Sequence, residues 1–310
     1  SGESRMFESA ELGHKIDRKT FQKEVPLLRA ALLDVQYDLM EKREFPVVIL
    51  VSGVDGSGKS ETINLLYSWM DPRHISTLAF AAPTDEESER PFMWRYWRAL
   101  PPKGKIGIFA GSWYSQPIAD RIQKKMKRAE MEELLDEINR FEAMLVNEGA
   151  LVLKFWFHLS KDAQKVRLKA MEKDPRTAWR VTKSSWDRLK TYDDLQSVAG
   201  HVLRVTNTAH APWTIIEGTD DNYRSLTVGH IVRDTIRKHL EQTTRGSVPV
   251  APPIVPAIDK RNFRKKLLSM GIVTETDELE TGTGHRAARL YRFDKKGYEE
   301  KRRAGFLFEL

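Results

Sequence analysis

The stretch Val47-Val48-Ile49-Leu50-Val51-Ser52-Gly53-Val54-Asp55-Gly56-Ser57-Gly58-Lys59-Ser60 constrains this chain more than any other. Gly53, Gly58, Lys59 and Ser60 satisfy the pattern G-x-x-x-x-G-K-[ST], and the motif lies between an apolar run and a helical one, which is the context it requires. Gly53, Gly56 and Gly58 permit backbone conformations that a side chain forbids, so successive N–H groups, that of Ser57 included, turn toward phosphate oxygens. The helix opening near Lys59 adds the positive end of its dipole. In such a loop Lys59 reaches the terminal phosphates and Ser60 offers its hydroxyl to magnesium. The stretch is a candidate phosphate cradle.

The rest of the chain predicts the sheet around it. Strands are expected at 46–51, 75–80, 106–109, 151–157 and 213–217, and helices at 59–69, 129–148 and 226–242. Residues 14–43 carry Val25, Leu28, Leu32, Val35 and Leu39 at helical spacing, and Phe92 to Leu100 read as another helix after a polar loop, Pro83 to Glu89. In the helix over 129–148, Met131, Leu134, Leu135, Ile138, Phe141 and Leu145 share a face, and Gly149 ends it. Strands alternating with helices predict an α/β fold whose parallel sheet is covered on both faces.

Val248 to Pro256 holds four prolines in nine residues and reads as a stiff linker. The expected organisation is a helical lead-in (1–45), a nucleotide-type α/β domain (46–243), a linker (244–257) and a small basic α+β module (258–310). The module is read as a helix at 260–270, strands at 272–275 and 288–293, and a last helix at 295–304.

Charge follows this division. The chain carries a formal +7, and residues 242–310 hold 14 Lys and Arg against 9 Asp and Glu, so most of the excess lies in the tail. Such a balance favours polyanionic partners. There is no cysteine, which excludes disulfides and thiolate metal sites. Without a signal-peptide core or a membrane-length apolar run, the expectation is a cytoplasmic protein that meets no membrane.

Two basic sets stand outside the cradle. Arg121, Lys124, Lys125, Lys127 and Arg128 form either a solvated helix face or a wall binding successive phosphates of a polyanion. Arg176, Arg180, Lys183, Arg188 and Lys190, interleaved with Trp179 and Trp186, suit a cover over phosphates. The strand at 106–109 ends in Ala110-Gly111, where a phosphate-transferring site normally keeps an acidic residue for magnesium. Two explanations compete: the metal is held by another group, such as Asp55 inside the loop, or the site binds phosphate without efficient transfer. His158, His201 and His210 lack metal spacing.

With these residues in place, the segment from Met6 to about Leu240 resembles the polyphosphate kinase 2 family. The matching marks are the cradle with Asp55, Ala82-Pro83-Thr84, Ser112-Trp113-Tyr114, Asp174-Pro175 with Trp179, and His210-Ala211-Pro212-Trp213. The resemblance implies a P-loop kinase fold similar to thymidylate kinases, with a helical lid. It implies phosphate transfer between inorganic polyphosphate and a nucleotide (AMP, ADP or ATP) with magnesium, and a homo-oligomer is expected. Lys59 would hold the terminal phosphate, Asp55 would help to hold magnesium or orient the acceptor, and Arg176 and Arg180 would close over the chain. Met6 to Glu11 and Trp97 to Gly104 look like the first, degenerate half of two-copy polyphosphate:AMP phosphotransferases. Active copies have Asp-Arg where this chain has Ala110-Gly111 and usually Arg where it has Gln116.

Ile258 to Leu268 and His285 to Phe293 resemble the winged-helix part of Nudix-related transcriptional regulators. In that arrangement the helix carrying Asn262, Arg264 and Lys265 would enter the major groove of DNA, and Arg286, Arg289 and Arg292 on the wing would meet phosphates. Two functions are therefore expected to compete. One is a polyphosphate kinase 2-type phosphotransferase weakened at Ala110-Gly111. The other is a catalytically inactive nucleotide or polyphosphate sensor driving a DNA-binding or protein-docking tail.

Overall fold

A computed structural model describes residues 5–245, 273–279 and 289–294 of the 310. The chain divides into two units, Ser1–Arg245 and Gly246–Leu310.

The first unit runs α1 (Arg5–Glu8), α2 (Arg18–Lys42), β1 (Val47–Gly53), α3 (Lys59–Trp69), β2 (Ile75–Ala79), α4 (Asp85–Ser88), α5 (Trp94–Arg98) and β3 (Ile106–Ala110). It continues with α6 (Ser115–Ile122), α7 (Arg128–Asn147), β4 (Leu151–His158), α8 (Lys161–Lys173), α9 (Lys183–Lys190), α10 (Tyr192–Val205), β5 (Trp213–Glu217) and α11 (Asp221–Arg245). The five strands form one sheet in the order β2-β3-β1-β4-β5, all parallel. β1, with both neighbours paired, is buried along nearly its whole length, as its unbroken apolar sequence requires.

Alternation along β1 sorts the core into two layers. Val48 and Leu50 face a cluster completed by Tyr96, Trp113, Leu135, Ile138 and Val202. Val47, Ile49 and Val51 face the other, built from Leu32, Val35, Leu66, Val232 and Ile236. The segment at 14–43 is one helix from Arg18, capped by Asp17, whose Oδ1 accepts from the N–H of Lys19 (2.9 Å) and Thr20 (3.0 Å). It packs along α11 and supplies part of the second layer's core.

Some local expectations change. The polar loop at 83–89 contains a one-turn helix, because Thr84 and Glu87 form a reciprocal capping box. The basic run at 121–128 spans the join of two helices: Arg121 lies in the last turn of α6, Arg128 opens α7, and Lys124, Lys125 and Lys127 lie in the turn between them, with Lys124 at φ 57. Helices α6, α8, α9 and α10 were not foreseen individually. α11 starts at Asp221 and continues through Thr244 and Arg245.

In the second unit, β6 (Val273–Leu279) pairs antiparallel with β7 (Arg289–Phe293). The expected helices at 260–270 and 295–304 lie outside the described residues, as do Asn262, Arg264, Lys265 and Arg286; Arg289 opens β7. Among the described residues no helix is long and apolar enough to cross a membrane.

Candidate functional site

The sheet delivers the cradle where β1 ends, between β3 and β4, and α3 begins at Lys59. Gly53, Gly56 and Gly58 all have positive φ, as the motif demands. Lys59 curls back so that Nζ donates to the carbonyls of Gly53 (2.6 Å) and Val54 (2.7 Å). Burial pushes its pKa down, and Asp55 and Glu61 pull it back up. Ser57 turns inward and is fully buried, its hydroxyl donating to the Val54 carbonyl at 2.7 Å. Ser60 is exposed in the first turn of α3.

Residues Asp55 to Glu61 line a cavity of about 210 Å³ with Leu168 and Met171 of α8, and with Arg180, Ser185 and Arg188. Two lid arginines are tied to the loop side of this cavity. Arg188 Nε donates to the Asp55 carboxylate, and Arg180 Nη1 bonds Glu61 Oε1 at 2.8 Å. Arg176 is not brought to the cradle. It forks onto Asp174 through Nε (3.1 Å) and Nη2 (2.8 Å) on the surface, and these bonds hold the Asp174 pKa at about 2.

A second cavity of about 630 Å³ adjoins the first and shares Asp55 and Arg188 with it. Ile118 and Ile122 of α6, Trp156 of β4 and Leu195 of α10 give it apolar walls, and Ser115, Gln123 and Thr191 give it polar edges. A cavity of this size and character suits a small organic molecule. The run Arg121 to Arg128 continues outward from its rim at Ile122 and Gln123; Lys124, Lys125, Lys127 and Arg128 are exposed and Arg121 half-buried.

Ala110 pairs in register with Val51 of β1, two residues before Gly53, so the strand end beside the cradle carries no carboxylate. Just beyond it, Ser112 Oγ lies 3.2 Å from Ser52 Oγ. Trp113 and Tyr114 then plunge into the core, where Trp113 Nε1 (3.0 Å) and the Tyr114 hydroxyl (2.6 Å) both donate to Glu142 Oε1. Lys154 Nζ completes this buried cluster, donating to Glu142 Oε2 (2.7 Å) and the Thr206 carbonyl (2.6 Å). Burial lowers the Lys154 pKa against the attraction of Glu142, and burial raises that of Tyr114. The cluster anchors the turn that presents Ser115 to the larger cavity.

Residues 15–244 match polyphosphate kinase 2. The chain belongs to the polyphosphate kinase 2 family. The chain is 45% identical over 286 residues to a polyphosphate:AMP phosphotransferase of Pseudomonas aeruginosa, covering 92% of this chain and 58% of that protein. It is 47% identical over 237 residues to the protein of that name from Pseudomonas syringae pv. tomato, covering 76% of this chain and 48% of the other. It thus spans about half the length of these curated relatives. A solved structure described as a putative polyphosphate kinase 2 from Pseudomonas aeruginosa superposes with a TM-score of 0.69 at 43% identity, covering 86% of this chain and 54% of that one. Residues 255–293 match the NrtR DNA-binding winged helix domain.

The sequence marked the cradle of this polyphosphate kinase 2 member, but not the pairing of Asp55 with Arg188 across 133 residues. It also missed α8, which walls the cradle. The available signals for α8 were Ser160 as its cap, whose Oγ accepts from Ala163 N at 3.2 Å, and Asp174-Pro175 as its stop.

Proposed function

We propose that this chain moves phosphate between inorganic polyphosphate and a nucleotide, AMP or ADP. The observation that carries the reading is the junction of two cavities: a phosphate cradle of about 210 Å³ and a largely apolar cavity of about 630 Å³ meet at Asp55 and Arg188. A nucleoside fits the larger space, with its phosphate directed toward the cradle. Kinship with polyphosphate:AMP phosphotransferases supports the same assignment.

In this reading, loop N–H groups and Lys59 bind the phosphate being transferred, and an acceptor oxygen attacks its phosphorus as the bridging oxygen leaves. Arg188 and Arg180, already at the loop's edge, exchange their carboxylate partners for phosphate and exclude water. Arg121 and the lysines beyond it receive the remaining polyphosphate chain. Arg176 is assigned the outer part of the lid.

The donor set also fits magnesium: the Ser60 hydroxyl and the Asp55 carboxylate are hard oxygens lining one cavity, and magnesium takes its other ligands from phosphates and water. When bound, the ion neutralises phosphate charge. With Ala110 at the strand end one acidic contact is absent, and such a contact is worth roughly a hundred- to a thousandfold in rate. Transfer is therefore slow. We also propose a homo-oligomer, which light scattering on the purified chain checks.

A second reading is favoured by two observations, Ala110 at the strand end and the winged-helix match at 255–293. In it the first unit binds nucleotide or polyphosphate without turnover and the tail reports this to DNA or a protein partner. The deciding experiment titrates the chain with magnesium and AMP or ADP, with and without polyphosphate, following heat and new nucleoside di- or triphosphate. Product that disappears in Lys59→Ala supports the enzyme; binding without product supports the sensor.

A further inference from the structure

Gly58 is hemmed in from behind by an arginine that the loop motif does not contain. A Cβ built on Gly58 would lie 2.1 Å from Cζ of Arg224 and 2.3 Å from its Nη1, so the guanidinium rests against the peptide of the cradle itself. Arg224 stands in the first turn of α11, and its side chain is 2% exposed. Every bond it makes returns to the loop's surroundings. Nε donates to Thr62 Oγ1 at 3.1 Å, and that hydroxyl donates onward to the Gly58 carbonyl at 2.9 Å. Nη1 donates to the Gly218 carbonyl at 3.1 Å and to Asp221 Oδ1 at 2.8 Å. Gly218 presses on the loop as well: a Cβ there would fall 2.7 Å from the Ser57 carbonyl oxygen.

The charge balance is as informative as the packing. Asp221 is the acidic partner of Arg224, it is more than half exposed, and it also pairs with Arg167 Nη2 at 3.2 Å. Arg167 in turn lies over the loop, its Cγ 3.3 Å from where a Cβ on Gly56 would stand. Two guanidinium groups flanking the cradle thus share one carboxylate, Asp221. A buried arginine held only to stabilise the fold is an expensive choice, because desolvation of the ion offsets much of what its bonds return. Behind an anion site the same charge does further work.

We propose that Arg224 is a positioning residue for phosphate binding, bracing Ser57-Gly58 together with the Gly218 turn it holds and setting a positive charge behind the cradle. The proposal rests on the reading of the cradle as a phosphate site. A unit charge acting across about 10 Å at an effective dielectric of about 20 changes affinity by roughly tenfold. That sets the expected effect.

The test is calorimetric titration of the full chain with magnesium and inorganic tripolyphosphate, alongside thermal unfolding. Arg224→Gln, and Arg224→Met combined with Thr62→Val, are expected to bind roughly tenfold more weakly, and Arg224→Lys to recover most of the affinity. Asp221→Asn removes the shared negative charge and is expected to tighten binding. A merely structural role would lower the unfolding temperature of these variants while leaving the affinity of the folded protein unchanged, and Asp221→Asn would bring no gain; that result overturns the proposal. If Arg224→Gln does not fold, Asp221→Asn decides, since it keeps the buried cation and removes only its acidic partner. Wild-type chain that fails to bind tripolyphosphate would remove the phosphate site and this role together. Wild-type binding with unchanged variants would remove the role of Arg224 alone.

Discussion

Replacing Lys154 by methionine tests whether the buried ion pair beneath Trp113-Tyr114 organises the wall of the larger cavity. Lys154 and Glu142 are both fully buried. The substitution keeps the stem and deletes the ammonium, leaving the Glu142 carboxylate with two neutral donors, Trp113 Nε1 and the Tyr114 hydroxyl, and leaving the Thr206 carbonyl without Lys154. Breaking a buried pair by removing one partner costs about 3–5 kcal/mol, and the two surviving donors place this case near the lower end. With a urea m-value of about 2–3 kcal/mol/M, the midpoint should fall by about 1 M. Adding Glu142→Gln removes the stranded charge while its amide oxygen still accepts from Trp113 and Tyr114, so the double variant should recover about 2 kcal/mol. Tryptophan fluorescence is a clean probe, because all eight tryptophans lie between residues 69 and 213 and report the first unit alone. A shift under about 0.3 M for Lys154→Met, or a double variant less stable than the single, would refute this account of the cluster.

Other expectations follow from the same geometry. His158, buried with Nε2 2.7 Å from Glu11 Oε1, has its pKa lowered from 6.5 by burial, so the folded state binds fewer protons than the unfolded one. Its contribution is complete above pH 6.5 and is lost as pH falls toward the folded value; pH-dependent unfolding should show this decline, and His158→Phe should flatten it. Ala110→Asp alone should raise phosphate transfer if the site has merely lost its acid, whereas adding Gly111→Arg should lose stability, because Gly111 has φ 81 and a left-handed side chain costs roughly 1–2 kcal/mol; product formation and melting of both variants check this. Arg188→Ala should weaken polyphosphate binding and reduce its salt dependence, measured by titration at two ionic strengths, while Arg176→Ala, at a surface pair with Asp174, should do much less. Deleting residues 258–310 should abolish any salt-dependent shift of duplex DNA; no shift by the intact chain at low salt would rule out DNA readout.

Much of this protein is legible from local pattern. The cradle at 53–60 is a contiguous motif, and the apolar runs of β1 and β4 and the stripe of α7 are short-range periodicities that report burial directly. The missing acid at Ala110 was equally visible, since a strand end and its residue type are read together. Helices α8 to α10 were harder: α8 buries only Gln164 and Leu168, so its periodicity scarcely rises above its charges. Tertiary structure alone decided which arginines matter. Arg176 and Arg180 are equivalent by sequence, yet one forks onto Asp174 and the other reaches Glu61 across 119 residues. Arg224 carries no motif and becomes part of the cradle only because α11 packs on α3, bringing its guanidinium to Thr62 across 162 residues. Sequence fixes chemistry that acts within a turn or two of backbone; charge placed by packing between distant elements depends on the whole fold, and no local window contains it.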